Sequence, residues 1–99
     1  MNPIMKSICQ FCLLVVLTLS PLAFASYQDE IKAGEMAFQH GNFEEAVYHW
    51  NIALSKFSPS SHIESYIDTL ISLAKAHQSL GVLRNALTVL ETAESHLNK

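Results

Sequence analysis

Small and large apolar residues recur along this chain in two matching series. The first is Gly34, Gly41, Phe43, Ala46, Trp50 and Ala53; the second is Ala74, Gly81, Leu83, Ala86, Leu90 and Ala93. The steps are the same in both: seven residues, then two, three, four and three. Steps of three and four keep residues on one face of a helix. A repeated series of this kind marks a repeated packing unit.

The pattern predicts four helices. The first spans Tyr27 to His40, with Ile31, Gly34 and Phe38 along its stripe. The second spans Phe43 to Phe57, carrying Ala46, Trp50, Ala53 and Phe57, flanked by Val47 and Leu54. The third follows Ser61 and runs to Leu80, with Ile63, Ile67, Leu70, Ala74 and His77 on one face. The fourth runs from Leu83 to Leu97, with Leu83, Ala86, Leu87, Leu90, Ala93 and Leu97. Ser26 with Asp29, and Ser61 with Glu64, have the spacing of capping boxes. Asn42 is placed to cap the second helix, and Glu44 and Glu45 suit the positive end of its dipole. Gly41 and Gly81 supply the left-handed residue that ends a helix. Ser58-Pro59-Ser60 breaks the chain between the second and third helices. Turns this short make neighbouring helices antiparallel, so the expected fold is all-α, two helix hairpins.

Residues 1–25 read differently. Lys6 precedes an apolar run from Ser7 to Leu19, Pro21 breaks it, and Ala23-Phe24-Ala25 follows. A basic start, a short apolar core and an Ala-x-Ala site are the parts of a secretory signal peptide. Cleavage is expected after Ala25, leaving 26–99 as one helical domain, exported to a periplasm or secreted. A membrane anchor formed by residues 7–25 is the alternative, but the run is short for a span of about 20 residues. Both cysteines, Cys9 and Cys12, lie in this leader. Their C-x-x-C spacing therefore belongs to a targeting segment rather than to a redox or metal motif.

Charge narrows the partners. The whole chain carries −3, and loss of Lys6 with the leader makes it one unit more acidic. It lacks the basic field that nucleic acid requires. An anionic membrane surface is excluded on the same ground, so contact with a membrane is expected only through the leader during export.

These residues resemble the tetratricopeptide repeat, a family of stacked helix hairpins. Repeat one, 27–60, matches at Gly34, Gly41, Phe43, Ala46, Trp50 and Ala53, with Pro59 near the family's terminal proline. It departs at Glu30 and Ala37, where a large apolar and an aromatic residue are usual. Repeat two, 61–99, offers Leu70, Leu73, Ala74, His77, Gly81, Leu83, Ala86, Leu90 and Ala93. Gly41 and Gly81 are 40 residues apart, against a usual period of about 34. The extra length falls around Ser61 to Tyr66. The resemblance implies a short right-handed solenoid. Gly34, Ala46, Ala74 and Ala86 let helices approach, Trp50 and Leu90 fill the space beside them, and Ala53 and Ala93 admit the next helix.

It also implies a protein-binding face on the first helix of each hairpin: Gln28, Ile31, Glu35, Phe38 and Gln39, then Asp68, Ile71, Lys75, Gln78 and Ser79. The family's clamp for chaperone tails uses Lys and Asn at such places. Ile31, Glu35 and Ser72 depart from it, so that ligand is not expected. The expected function is an exported scaffold or adaptor for a protein or peptide, without catalysis or cofactor of its own. One alternative is the N-terminal module of a larger exported enzyme, such as a peptidase. Another is a small metal-binding helical protein built on His40, His49, His62, His77 and His96. No two of these histidines have the four-residue spacing that sets two ligands on one helix face. His77 is expected in the core. About three such repeats are needed to bury their faces, and Val82 and Val89 make the last helix apolar on its flank. The two visible repeats therefore suggest part of a longer array, or self-association through the C-terminal helix.

Overall fold

In the computed structural model, which describes residues 26–98, the first helix starts where the Ser26 hydroxyl accepts from the Asp29 amide. The Asp29 carboxylate accepts in return from the Ser26 amide, completing the capping box. Four helices follow: α1, Tyr27–Gln39; α2, Phe43–Lys56; α3, Ile63–Ser79; and α4, Leu83–Leu97. There is no strand among the described residues. None of the described helices is long and apolar enough to cross a membrane. The proposed signal peptide and its cleavage point lie outside the described residues.

Both hairpin turns are built alike. Gly41 and Gly81 each have φ +78°, in the left-handed region where a Cβ is disfavoured. Asn42 donates its backbone N–H to the Ala37 carbonyl at 2.8 Å, and Val82 donates to His77 at 2.9 Å. Gly41 and Gly81 donate to Phe38 and Gln78, both at 3.0 Å. This pair of bonds is the Schellman motif, which satisfies the last carbonyls of a helix.

Two expected caps do not form. Asn42 stands at the start of α2 but makes no side-chain cap. Its backbone is held by the preceding Schellman turn, which fixes φ and ψ before the side chain can reach the helix. Ser61 does not cap α3 either; His62 occupies that place. Residues 58–62 form their own turn, in which the Ser61 and His62 amides both donate to the Ser58 carbonyl and the Ser61 hydroxyl donates to it as well. Of the added length in the second hairpin, part lies in this connection and part in α3, which has 17 residues against 13 in α1.

Ring contacts fix the directions of the helices. Tyr27, at the start of α1, stacks on Phe57, just past the end of α2, at 4.2 Å between centroids. Phe57 meets Tyr66, near the start of α3, at 5.4 Å, and Tyr66 meets His96, near the end of α4, at 5.1 Å. Each helix is thus antiparallel to the next, and α1 packs on α2, α2 on α3, and α3 on α4. The core has two parts. Ala37, Ala46 and Trp50 meet Leu73 and Ala76 of α3. Ile67 and Leu70 meet Ala93 of α4. Leu54 and Val89 touch both, which joins them into one core.

A candidate partner-binding cleft between the first and third helices

Trp50 is the pivot of the first hairpin. It is 3% exposed, and its indole Nε1 donates to the Ile31 carbonyl at 3.1 Å. That bond satisfies the one polar atom of a buried ring and ties α2 to α1. Gly34 makes the approach possible. A Cβ there would sit 2.7 Å from Trp50 Cε2 and closer still to other ring atoms. In the second hairpin the same pair is Ala74 and Leu90, and the smaller Leu leaves room for a Cβ.

Because α1 and α3 both lean on α2, a cleft opens between them with Trp50 as its floor. It comprises two adjoining hollows of about 170 and 230 Å³ that share Glu35, Trp50 and Ser72. Phe38, Gln39 and Lys75 complete one end; Ile31, Ser65, Asp68 and Thr69 complete the other. Phe38 is held by Phe43 at 5.0 Å and by Trp50 at 5.9 Å between centroids. Thr69 is buried, and its hydroxyl donates to the Ser65 carbonyl at 2.7 Å within α3. The cleft therefore has an apolar floor, carboxylates at Glu35 and Asp68, and one ammonium group at Lys75. It offers hydrogen-bonding and charge recognition over a hydrophobic base.

Six of the predicted face residues line this cleft: Ile31, Glu35, Phe38, Gln39, Asp68 and Lys75. Gln28 is exposed and lines neither hollow. Ile71 and Gln78 point the other way, into a groove between α3 and α4 that also takes Lys75. Ser79 is exposed at the end of α3, its hydroxyl donating to the Lys75 carbonyl. Ser65 and Thr69 belong to the cleft without having been assigned to the face, and Ser72, named only as a departure from the chaperone clamp, lines both hollows. Their spacing along α3 carries the signal: three and four residues apart, on one helical face.

The small residues Gly34, Ala46, Ala53, Ala74, Ala86 and Ala93 are buried. Leu90 is not: it is 45% exposed. Trp50 and Leu90 occupy matching positions, but α3 covers Trp50 and no described helix covers Leu90.

A polar cluster that the sequence reading missed lies on the seam between α1 and α2. His49 Nδ1 is 2.7 Å from Glu30 Oε2, and its Nε2 is 3.8 Å from Glu45 Oε1. Lys56 Nζ is 4.0 Å from the other Glu30 oxygen. The departure of Glu30 from an apolar residue is thus matched by His49 and Lys56. The other histidines do not converge: His40 bonds the Met36 carbonyl in its own helix, His77 is half-buried, and His62 and His96 join the ring contacts around Phe57 and Tyr66. Among the described residues no three His, Cys, Asp or Glu side chains group as metal ligands. No family model, curated protein or solved structure matches the chain.

Proposed function

We propose that the chain is an exported helical-repeat adaptor of the tetratricopeptide type, which binds an extended peptide segment of a protein partner in the cleft between α1 and α3. The observation that carries this reading is the cleft itself, where Glu35, Asp68 and Lys75 stand over Trp50 and Phe38. The two hairpins with identical Schellman turns, 40 residues apart, support the repeat assignment. The leader pattern in residues 1–25 supports export. Each hollow alone is below the roughly 300–1,000 Å³ of small-molecule sites, which favours a ligand that runs along both. A basic side chain suits Glu35 and Asp68, and an acidic group or backbone carbonyl suits Lys75.

Selection from a displayed peptide library tests this. Selected peptides are expected to share a basic residue. Glu35→Lys, which reverses a cleft charge, and Ser72→Arg, which puts a bulky cation where both hollows meet, are each expected to weaken their binding at least about ten-fold. Both positions are on the cleft wall rather than in the core, so helical content should not change. Peptides that bind both variants as well as the parent, or a library that yields none, would sink the reading.

A further inference from the structure

The outer side of α4 carries a second apolar stripe. Leu83, Leu87, Leu90 and Leu97 are 66, 59, 45 and 66% exposed. They stand four, three and seven residues apart, the spacing of a heptad seam. The inner side of the same helix is already used, since Ala86 and Ala93 are buried and Val89 packs on the core. With Ile71, Ala74 and Lys75 of α3, Leu83, Leu87 and Leu90 form a groove of about 330 Å³, and Leu97 continues the stripe beyond it.

The chain itself indicates what fits such a groove. Forty residues earlier, a helix lies along the matching stripe of the first hairpin: α3 lays Leu73 and Ala76 against Ala46 and Trp50, leaving Ile31, Glu35 and Phe38 on the α1 side to line the open cleft. A helix antiparallel to its support is therefore the shape the second groove takes.

The charges beside the leucines say which helix. Arg84 and Glu91 are seven residues apart on the same flank of the stripe, both exposed. Neither takes part in an ion pair among the described residues. When two α4 helices run antiparallel, with Leu87 of each near Leu90 of the other, these flanking positions meet. Arg84 of each copy then faces Glu91 of the other, twice over. Glu94, which interrupts the stripe between Leu90 and Leu97, comes opposite Leu83 and close to the opposing Arg84. A parallel pair would place Glu94 against Glu94 in the seam and leave Arg84 and Glu91 facing the positions of Ala86 and Ala93, which α3 already covers. Flanking charges set partner and direction in helix pairs, and a twofold interface must be complementary to itself. The α4 stripe meets that requirement in the antiparallel arrangement.

We propose that two copies of the chain pair through α4, antiparallel, about a twofold axis between Leu87 and Leu90. This surface shares Lys75 with the α1–α3 cleft, but the pairing does not require the cleft to be occupied.

Sedimentation equilibrium of the purified chain, with circular dichroism as the folding control, tests the pairing. The parent is expected to show a monomer–dimer equilibrium. Arg84→Glu and Glu91→Arg alone should each weaken it about ten-fold, since each single change removes two attractions and creates two repulsions of exposed charges. The double variant, which restores opposite charges, should return to within about two-fold of the parent. Leu87→Glu should abolish the dimer at unchanged helicity, because Leu87 is exposed. If Leu87→Glu fails to fold, the charge-swap set still decides. A parent that is monomeric at every concentration overturns the proposal and leaves the groove to a helix of another protein. A dimer insensitive to the single swaps, or weakened by them and not restored in the double variant, overturns it as well.

Discussion

Gly34 shows how one missing side chain organises this protein. An alanine there would be the better helix former by about 1 kcal/mol. The Trp50 ring stands against that gain, because it occupies the space a Cβ needs and is held in place by its bond to the Ile31 carbonyl. Forcing a methyl group into a well-packed site costs about 1–3 kcal/mol, so the steric effect wins. Gly34→Ala is expected to destabilise the fold by a net of up to about 2 kcal/mol, lowering Tm by up to roughly 15 °C for a domain of this size. A rise in Tm on thermal unfolding would mean that the indole can move aside. The matching site in the second hairpin already carries this substitution, Ala74, and it faces Leu90 instead of a ring.

At the scale of elements, the two hairpins solve the same seam in different ways. In the first, Glu30 of α1 meets His49 and Lys56 of α2. In the second, the corresponding positions 40 residues later are Leu70, Val89 and His96, and the first two join the apolar core. A partly buried ion pair is weak evidence of stability, since a well-packed apolar pair often does as well, whereas removing one partner leaves a charge without its mate. His49→Val alone is expected to destabilise by about 1 kcal/mol, the usual worth of one hydrogen bond, because Glu30 loses its 2.7 Å partner but keeps Lys56 at 4.0 Å. Glu30→Leu alone should cost less, because His49 is the more exposed of the two side chains. The double variant Glu30→Leu/His49→Val, copying the second hairpin, should return to within about 0.5 kcal/mol of the parent. Chemical denaturation of the four proteins gives this cycle directly, and simple additivity of the two losses would show that the pair does not act as a unit.

For the molecule as a whole, the order of packing sets the order of stability. The inner helices α2 and α3 each pack on two neighbours, while α1 and α4 each pack mainly on one. Local opening follows such differences in burial. Amide exchange is therefore expected to be slowest in α2 and α3, around Trp50, Leu73 and Ala76, and fastest in the outer turns of α4. Protection of α4 should rise with protein concentration as copies pair. Equal protection along all four helices would indicate a single cooperative unit with no weak edge.

The helices and their turns were legible from the sequence, because they depend on local rules. The three-and-four spacing from Phe43 to Ala53, the Ser26–Asp29 capping box and the left-handed Gly41 and Gly81 act within a few residues of backbone, and the structure has them where the pattern places them. Part of the cleft's lining, Ile31, Glu35, Phe38 and Gln39, was named through the repeat resemblance, and these residues share one face of α1. Tertiary structure decided the rest. Whether Ile71 and Gln78 face the cleft or the α4 groove depends on how far α3 turns as it packs on α2. The pairing of Glu30 with His49 spans 19 residues and two helices, beyond any periodicity. Trp50 and Leu90 hold equivalent places in one repeated pattern, yet one is buried and the other exposed. Side-chain spacing sets which face a residue takes, but only a neighbouring helix can remove that face from water.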